Sequence, residues 1–368
     1  MSKYHNPVKI VKSSFWLEEL NNQMKSLGMS QPFFVTSSGN RSRLNLDSHF
    51  NNEHIFELDN SNPTFENCEE IISHVEKIKV NGVVAIGGGS VMDLAKVSIS
   101  FLSCQSKSLL GLINNEYDYK NSIPSIFIPT THGTASEVTQ WGTIWDMNEK
   151  KKHSISHHKL YPEVAILDGN LCLSLPIDIS IATTLDAISH SFEAIWNKNG
   201  NPKSDEYAIN AISQIFNNID LFKTDTKNLK IRNKILEAST IAGLAFSNTK
   251  TAAAHSISYP LTIHFGIPHG IASSITLSSL LDINKNLISE QLLEISKKTA
   301  LSFEEIKNKI ESIPDKILPF NLVGWGIKKN DLSLILKESF TKGRMDNNIV
   351  DLNLEDVDNI LKYSLSKD

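Results

Sequence analysis

The segment Val83–Lys96 reads VVAIGGGSVMDLAK and joins a β-rich apolar run to a helical pattern through a glycine-rich turn. The turn consists of Gly87, Gly88, Gly89 and Ser90. Glycines in such a turn let the backbone approach a ligand closely, and the free amides at the start of the next helix hold an anion. The segment therefore predicts a strand–turn–helix unit that cradles a pyrophosphate. It is not the GxGxxG fingerprint, and a tight turn without a ligand is the alternative.

A second loop follows another β-rich run. It reads PTTHGTASEVT over Pro129–Thr139 and is dense in hydroxyl groups, with a glycine and one acidic residue. In an α/β sheet, the loops at the carboxyl ends of the strands line the ligand crevice. Two such loops together favour cofactor binding.

Short β-rich runs and helical patterns alternate through the first half of the chain. The runs are Pro32–Thr36, Val83–Ile86, Ser125–Ile128 and Val164–Leu167, and the helical stretches include Cys68–Val80 and Val91–Leu102. This alternation predicts a largely parallel sheet that is covered on both faces.

Long helical segments replace the β-rich runs after Pro176. Examples are Ile179–Trp196, Glu206–Ile219 and Leu229–Phe246. We therefore expect an α/β dinucleotide-binding domain over residues 1–176 and an all-helical metal-binding and substrate domain over residues 177–368, because a chain of 368 residues exceeds one ordinary core.

The composition narrows the class of protein. The formal net charge is −5 and the pI is about 6.2, so there is no basic field to attract nucleic acid. The N-terminus lacks the apolar core of a signal peptide, and no apolar run is long enough to span a bilayer, which predicts a cytoplasmic protein without a membrane partner. Cys68, Cys104 and Cys172 are widely spaced and are expected to be buried thiols.

The helical half contains potential metal ligands. Asp186 and His190 are four residues apart, which places them on one helix face. Farther along, AAAHSISYPLTIHFGIPHG offers His255, Tyr259, His264 and His269. A carboxylate with three imidazoles suits a divalent transition metal such as iron or zinc. Each histidine alone is more often an ordinary core or surface residue.

Three further histidines lie in the Lys-rich run EKKKHSISHHK. They are His153, His157 and His158. The composition of this run indicates that the three histidines lie in a solvated surface segment.

Together these motifs resemble the iron-containing alcohol dehydrogenase family along nearly the whole chain. The series is GGGSxxDxAK, PTTxGTxSEVT, VAILD, DAxxH, then AFSN followed by His and PHG. The resemblance implies an N-terminal parallel-sheet domain and a helical C-terminal domain, the architecture shared with dehydroquinate synthase. It implies a metal held by Asp186, His190, His255 and His269, with iron(II) expected and zinc as the alternative.

The resemblance also implies how NADPH or NADH is bound. The cofactor residues would be Gly87, Gly88, Gly89 and Ser90 at the pyrophosphate, Asp93 close by, Thr130, Thr131, Thr134 and Ser136 at the nicotinamide, Lys152 near the ribose, and Ser37 at the adenosine ribose. A homodimer is a family-level expectation.

Three positions depart from the family's pattern. Tyr259 replaces a His that many relatives have, so the proton is expected to come from this phenol, from a ribose hydroxyl or from water. His132 replaces the usual Ala. Ser37 replaces the Asp that repels the 2′-phosphate of NADP, and Arg41 and Arg43 are nearby, which favours NADPH.

The local strings TIWD, AIWNKNGNPKSD and LAFSNTKTAAAHSISYPLTIHFGIPHG resemble the phosphonoacetaldehyde reductase branch of this family. The expected reaction is hydride transfer to a metal-polarised aldehyde, with Tyr259 and His255 as the catalytic residues and 2-hydroxyethylphosphonate as product. The candidate substrate residues are Lys198, Lys250, Arg344, Trp141 and Phe246. The alternatives are a general iron-type alcohol dehydrogenase, a dehydroquinate-synthase-like lyase, which Asp186 and His190 disfavour, and a silent metal-binding protein.

Overall fold

The computed structural model describes residues 4–59, 62–104 and 108–366. Internal contacts divide the chain into two compact units. The α/β unit comprises Pro7–Thr131 and Ala135–Cys172, and the helical unit comprises, of the described residues, 4–6, 132–134 and 173–366. The division falls at Cys172 and Leu173, and the domain boundary at residue 176 stays a prediction.

The α/β unit alternates strands and helices along the chain. Its main elements are β1 (Lys9–Lys12), α1 (Trp16–Ser26), β2 (Pro32–Thr36), α2 (Ser38–Arg43), β3 (Ile55–Glu57), α3 (Phe65–Val75), β4 (Gly82–Gly87), α4 (Gly89–Cys104), α5 (Leu109–Ile113), β5 (Ser125–Pro129), β6 (Trp141–Asp146), β7 (Lys151–Ser156) and β8 (Val164–Leu167).

Six of these strands form one parallel sheet in the order β1-β8-β5-β4-β2-β3. The central strands are buried on both faces because alternate residues of β4 enter two different cores. Val83 and Ala85 pack with Phe127 and the apolar side of α4. Val84 and Ile86 pack on the opposite face with residues of α1. The predicted parallel sheet is therefore confirmed.

The sheet brings the two predicted ligand loops to neighbouring strands. Gly87 ends β4 and is in register with Pro129, which ends β5. The amide of Thr130 donates to the carbonyl of Gly87 at 2.9 Å. Both loops therefore leave the same edge of the sheet side by side.

Part of the Lys-rich run forms a strand at the surface. Residues Lys151–Ser156 pair with β6 as an antiparallel hairpin. Ile155 is buried on this strand, while the residues around it are exposed or half-buried. The composition correctly indicated a surface position but not the strand, which depends on the partner strand β6.

Helices make up the regular structure of the helical unit's described part. They are α6 (Ile177–Ile195), α7 (Pro202–Thr224), α8 (Leu229–Thr249), α9 (Ala253–Phe265), α10 (His269–Ser274), α11 (Leu277–Asn284), α12 (Ser289–Thr299), α13 (Phe303–Ser312), α14 (Leu332–Glu338) and α15 (Leu354–Ser366). Local signals set several boundaries: Asn201 and Pro202 begin α7 with a capping box, and Gly266 ends α9 in a left-handed conformation. The predicted helical half is confirmed.

No described helix combines the length and the apolar character that a bilayer span requires. The three cysteines are buried free thiols, as expected.

Candidate functional site

Helix α6 places two potential metal ligands one turn apart. Asp186 and His190 are both almost completely buried. Their four-residue spacing puts them on the same helix face, and Nε2 of His190 lies 4.0 Å from Oδ1 of Asp186. The pair predicted from the sequence is therefore directed at one point.

Two further histidines meet this point from the next helices. His255 lies in the first turn of α9, and its Nε2 is 3.5 Å from Oδ1 of Asp186. His269 is the first residue of α10, and its Nε2 is 3.8 Å from the same oxygen. The donor atoms of Asp186, His255 and His269 all lie within 4.8 Å of one another. The structure thus brings Asp186, His255 and His269 into one group, with His190 beside it at 4.0 Å from Asp186, whereas His264 pairs with Glu338 instead.

The donor set fits a metal ion. Nε2 of His255 is buried without a hydrogen-bond partner among the described residues. Leaving a buried polar nitrogen unsatisfied is costly, so a ligand for it is expected. One carboxylate and three imidazoles are a donor set suited to iron or zinc.

Glu193 orients one of these histidines. It lies on α6 one turn beyond His190, and its Oε2 is 2.5 Å from Nδ1 of His255. Its Oε1 accepts from the backbone amide of His255 at 3.0 Å. A carboxylate on Nδ1 fixes the tautomer and directs Nε2 to the site. The sequence analysis missed this residue because the pairing spans 62 positions; the only local signal is the Glu three residues after His190.

The electrostatics prepare the cluster for a cation. Burial opposes ionisation of Asp186, but the surrounding imidazoles outweigh it and hold the pKa of Asp186 well below its usual value. Burial lowers the pKa of His190 to about 4, so this imidazole is neutral at pH 7. Burial also opposes the charge of His255, but Glu193 and Asp186 raise its pKa to about 10. Metal binding must therefore displace a proton from His255, which makes it pH-dependent.

Two packing contacts hold the ligands in place. The ring of Phe246 stacks on His190 with centroids 3.9 Å apart and planes 6° apart. A Cβ at Gly270 would lie 1.9 Å from the carbonyl oxygen of Ala182, so only glycine lets α10 approach α6 this closely. The PHG motif therefore sets the position of His269 relative to Asp186.

Tyr259 and Arg344 contact each other. Tyr259 lies one turn after His255 on α9, and its hydroxyl accepts from Nε of Arg344 at 3.2 Å. Arg344 also donates to the carbonyl of Gly343. The guanidinium predicted to bind substrate thus lies against the predicted proton donor.

The cofactor residues predicted on the first loop lie in the α/β unit. A Cβ at Gly88 would lie 3.1 Å from the side chain of Thr131, so the two loops pack closely. Oγ of Ser136 donates to Oδ1 of Asp93 at 3.0 Å, which connects the second loop to α4. Thr134, another predicted cofactor residue, does not lie in the α/β unit, because residues 132–134 belong to the helical unit.

Like the contact between Ser136 and Asp93, hydrogen bonds from Lys96 hold the second loop on α4. Its fully buried ammonium donates to the carbonyl and hydroxyl of Ser136, to the hydroxyl of Thr139 and to the carbonyl of Trp141. Burial lowers its pKa to about 8, against the opposing effect of Asp93. No role was predicted for this lysine, although it is the last residue of the motif Val83–Lys96.

The positions predicted to contact the riboses are at the surface of the α/β unit. The hydroxyl of Ser37 caps α2 by accepting from the amide of Asn40. Arg41 is paired with Asp47 and Glu57, at 2.7 and 2.8 Å. Its charge is therefore balanced within the fold. Lys152 lies 5.6 Å from the ring centroid of Trp145.

The two candidate substrate lysines differ in their surroundings. Lys198 forms an ion pair with Asp351 at 2.5 Å, so its positive charge is balanced by this carboxylate. Lys250 is exposed between α8 and α9, and its backbone has φ 66° and ψ −178°. Trp141, the other candidate, begins β6 in the α/β unit.

Comparison with known proteins agrees with this geometry. A model described as iron-containing alcohol dehydrogenase matches residues 7–169, and one described as Fe-containing alcohol dehydrogenase family, C-terminal, matches residues 180–365. The chain belongs to the iron-containing alcohol dehydrogenase family. It is accordingly an NAD(P)-dependent oxidoreductase that acts on CH–OH groups.

Individual relatives cover most of the chain. Long-chain-alcohol dehydrogenase 1 of Geobacillus thermodenitrificans is 29% identical over 77% of this chain and 74% of its own. The NADPH-dependent butanol dehydrogenase of Clostridium saccharobutylicum is 29% identical over 79% and 73%. The crystal structure of sulfoacetaldehyde reductase from Bifidobacterium kashiwanohense with NAD+ superposes with a TM-score of 0.88, 26% identity and full coverage of both chains. The family assignment favours the dehydrogenase over the lyase and the silent binding protein.

Proposed function

We propose that the protein is a metal-dependent aldehyde reductase for a short aldehyde bearing an anionic group, and specifically for phosphonoacetaldehyde. The product would be 2-hydroxyethylphosphonate, and the cofactor NADPH or NADH. The observation that carries the anionic substrate class is the backbone conformation of Lys250. The strings that resemble the phosphonoacetaldehyde reductase branch, which include Lys198 and Lys250, support the particular substrate.

Lys250 has a backbone conformation that glycine adopts readily and that costs other residues about 1–3 kcal/mol. The segment is held there: the Lys250 amide donates to Phe246, and its carbonyl accepts from Asn197 and Thr249. Because the fold holds an exposed lysine in a conformation that disfavours it, we assign its cation a role. It follows α8, whose Phe246 stacks on His190, so an anionic substrate near the metal cluster is the proposed use.

A relative's substrate supports the same chemistry. The superposed reductase is named after sulfoacetaldehyde, which is a two-carbon aldehyde with a tetrahedral anionic group. Phosphonoacetaldehyde has the same skeleton with a phosphonate in place of the sulfonate. A dianion of this kind needs charged donors, each contributing about 1.5–3 kcal/mol.

The residues of the helical unit have proposed roles in the reaction. Asp186, His190, His255 and His269 would hold the ion, iron(II) in our proposal, with zinc as the alternative. When bound, the ion supplies Lewis-acid polarisation of the carbonyl. When bound, the nicotinamide cofactor would supply the hydride for the carbonyl carbon. Tyr259 would donate its proton to the carbonyl oxygen, and Arg344, whose Nε lies 3.2 Å from the hydroxyl of Tyr259, would stabilise the phenolate.

The remaining expectations extend this proposal. The glycine turn of residues 87–90, with Asp93, Thr130, Thr131, Thr134, Ser136 and Lys152, would bind the cofactor, and Ser37 would admit the 2′-phosphate of NADPH. We also propose a homodimer, a cytoplasmic location and the domain division at residue 176.

A pair of substitutions at one position tests the substrate. Wild type should reduce phosphonoacetaldehyde with a kcat/KM at least roughly a hundredfold above that for propanal. Lys250→Met removes the cation and Lys250→Gly also relieves the backbone strain. Both should lower kcat/KM for phosphonoacetaldehyde by about 10–100-fold and leave propanal nearly unchanged, and the glycine variant should be at least as heat-stable as wild type.

Two comparison variants sharpen this test. Lys198→Met removes a lysine already neutralised by Asp351 and should have a smaller effect, while Lys297→Met, an exposed lysine paired with Glu294, should have none. If the metal-replete wild type reduces propanal as well as phosphonoacetaldehyde, the anionic-substrate proposal is wrong. A general iron-type alcohol dehydrogenase then remains.

A further inference from the structure

His132, Gly133 and Thr134 form a short excursion of the second ligand loop into the helical unit. Gly133 packs against α6 so closely that a Cβ there would lie 2.6 Å from the carbonyl oxygen of Thr183. Thr183 lies three residues before Asp186 on the same helix. The position of this loop is therefore set by the helix that carries two of the candidate metal ligands.

His132 is buried against a buried arginine. Its side chain is completely inaccessible, and its Nε2 accepts from the guanidinium of Arg232 at 3.1 Å. The guanidinium lies over the ring of Phe222, 4.6 Å from its centroid, and the imidazole meets the same ring edge-on. His132 therefore occupies a formed socket rather than a loose surface position.

Arg232 connects His132 to three other segments. Its Nη1 also donates to Oγ of Ser180 in the first turn of α6, at 2.8 Å. Its Nη2 donates to the carbonyl of Leu175, and its Nε donates to the carbonyl of Thr226. The guanidinium thus joins the 132–134 loop, the start of α6 and the segment between α7 and α8, so movement of the loop would break a buried charge-assisted network.

Only one protonation state of His132 suits this socket. Burial and the charge of Arg232 lower the pKa of His132 to about 3, so the ring is neutral at pH 7. Because Nε2 accepts from Arg232, the proton is on Nδ1, which is buried without a hydrogen-bond partner among the described residues. Burying Nδ1 without a partner costs free energy, and the contact between Nε2 and Arg232 offsets that cost.

We infer that His132 anchors residues 132–134 to the helical unit through Arg232, and that this anchor positions the loop for binding of the nicotinamide cofactor. The inference rests on the proposed contact between this loop and the cofactor. His132 is a positioning residue, which acts through the backbone of Gly133 and Thr134 rather than by touching the reacting atoms.

Substitutions of matched size distinguish an anchor from a mere filler. His132→Leu keeps an apolar side chain of similar size but removes the acceptor for Arg232. His132→Gln supplies an amide oxygen that reaches the position of Nε2. In the metal-loaded protein, the leucine variant should bind NADPH and NADH at least about tenfold more weakly, whereas the glutamine variant should stay within about threefold of wild type.

Binding is measured by calorimetric titration of each cofactor, with bound metal determined in the same samples. Metal content should be equal in all three proteins, and in turnover assays the cofactor KM of the leucine variant should rise while kcat changes little. Unchanged cofactor affinity in His132→Leu would overturn the inference. Equal weakening in the leucine and glutamine variants would overturn it too, because the imidazole itself would then be required.

A third variant covers the case in which His132→Leu does not fold. His132→Asn is polar, but its shorter amide cannot reach Arg232, so it should weaken cofactor binding as leucine does; wild-type affinity would contradict the anchor. A wild type that binds a nicotinamide cofactor but reduces no aldehyde would refute the proposed function and leave this binding test intact.

Discussion

Glu193 contributes to the metal cluster through another residue. Both of its oxygens hold His255, one at the ring and one at the backbone amide. Glu193→Gln keeps the shape but removes the charge, so it should lower metal affinity by about 10–100-fold, the range found for carboxylates that orient ligating histidines. Metal titration of the apo protein measures this effect.

A second His–Glu pair, whose histidine also lies on α9, provides the control. Glu338 pairs with His264 of α9 at 2.7 Å near the surface. Glu338→Gln should leave metal affinity unchanged. Equal affinities in wild type and Glu193→Gln would show that packing alone orients His255.

Ser37 allows a prediction about cofactor choice. An aspartate at this position would still cap α2, because Asp and Ser are both good N-caps, and it would repel a 2′-phosphate. Ser37→Asp should therefore shift preference from NADPH towards NADH by roughly tenfold or more, or about 1.4 kcal/mol. Ratios of kcat/KM for the two cofactors measure the shift.

The comparison variant is Ser42→Asp, because it adds the same charge on the exposed side of α2. An unchanged cofactor ratio in Ser37→Asp would mean that this position does not contact the ribose.

Helix α10 is positioned by a glycine at its second residue. A methyl group at Gly270 would overlap the backbone of Ala182 and lie 3.2 Å from Cβ of Asp186. Gly270→Ala must therefore move α10 away from α6, which costs about 1–3 kcal/mol as overpacking. It should lower both the thermal midpoint and the bound metal, because His269 moves with the helix.

Gly39→Ala is a suitable control, since a Cβ there meets nothing within 4 Å. Metal content is measured at a temperature well below the thermal midpoint of the variant. If Gly270→Ala then binds as much metal as wild type, the site tolerates the displacement of α10.

Elements with strong local patterns were predictable from the sequence. The strands at Pro32–Thr36 and Val164–Leu167 have the predicted bounds, because apolar β-rich runs are bounded there by polar residues. The helix predicted from Cys68 instead begins at Phe65, since Thr64 caps it with Asn67, and it ends at Val75 rather than Val80. The short strands β1 and β3 were not predicted, because three or four residues at a sheet edge carry too little pattern.

The candidate site shows the same division between local and distant information. Asp186 and His190 are one helical turn apart, and the sequence spacing alone relates them. The contacts of Glu193 with His255 and of Arg232 with His132 span 62 and 100 positions. Nothing in a single sequence relates such residues, so these contacts required the folded structure.

At the scale of the whole molecule, the candidate metal ligands all belong to the helical unit, and most candidate cofactor residues belong to the α/β unit. Metal binding and cofactor binding can therefore be changed separately by substitution. Residues 132–134 continue a loop of the α/β unit while belonging to the helical unit. Substitutions there are expected to affect cofactor binding without loss of metal.

The stability of the protein towards acid should depend on His132. Its folded-state pKa of about 3 lies below the value near 6.5 of an unfolded histidine, because burial and Arg232 disfavour the imidazolium. The unfolded chain thus binds more protons between these values, so this contribution to stability is complete above pH 6.5 and is lost as the pH falls. Between pH 7 and pH 5 the loss amounts to about 2 kcal/mol.

Comparison with His132→Gln isolates this contribution, since glutamine does not titrate and the other groups are common to both proteins. Urea unfolding of the metal-free proteins at pH 7 and pH 5, followed by tryptophan fluorescence, gives the two differences. Wild type should lose about 2 kcal/mol more than the glutamine variant over this interval. Parallel losses in the two proteins would mean that His132 accepts a proton in the folded state, which is incompatible with its contact to Arg232 through a neutral Nε2.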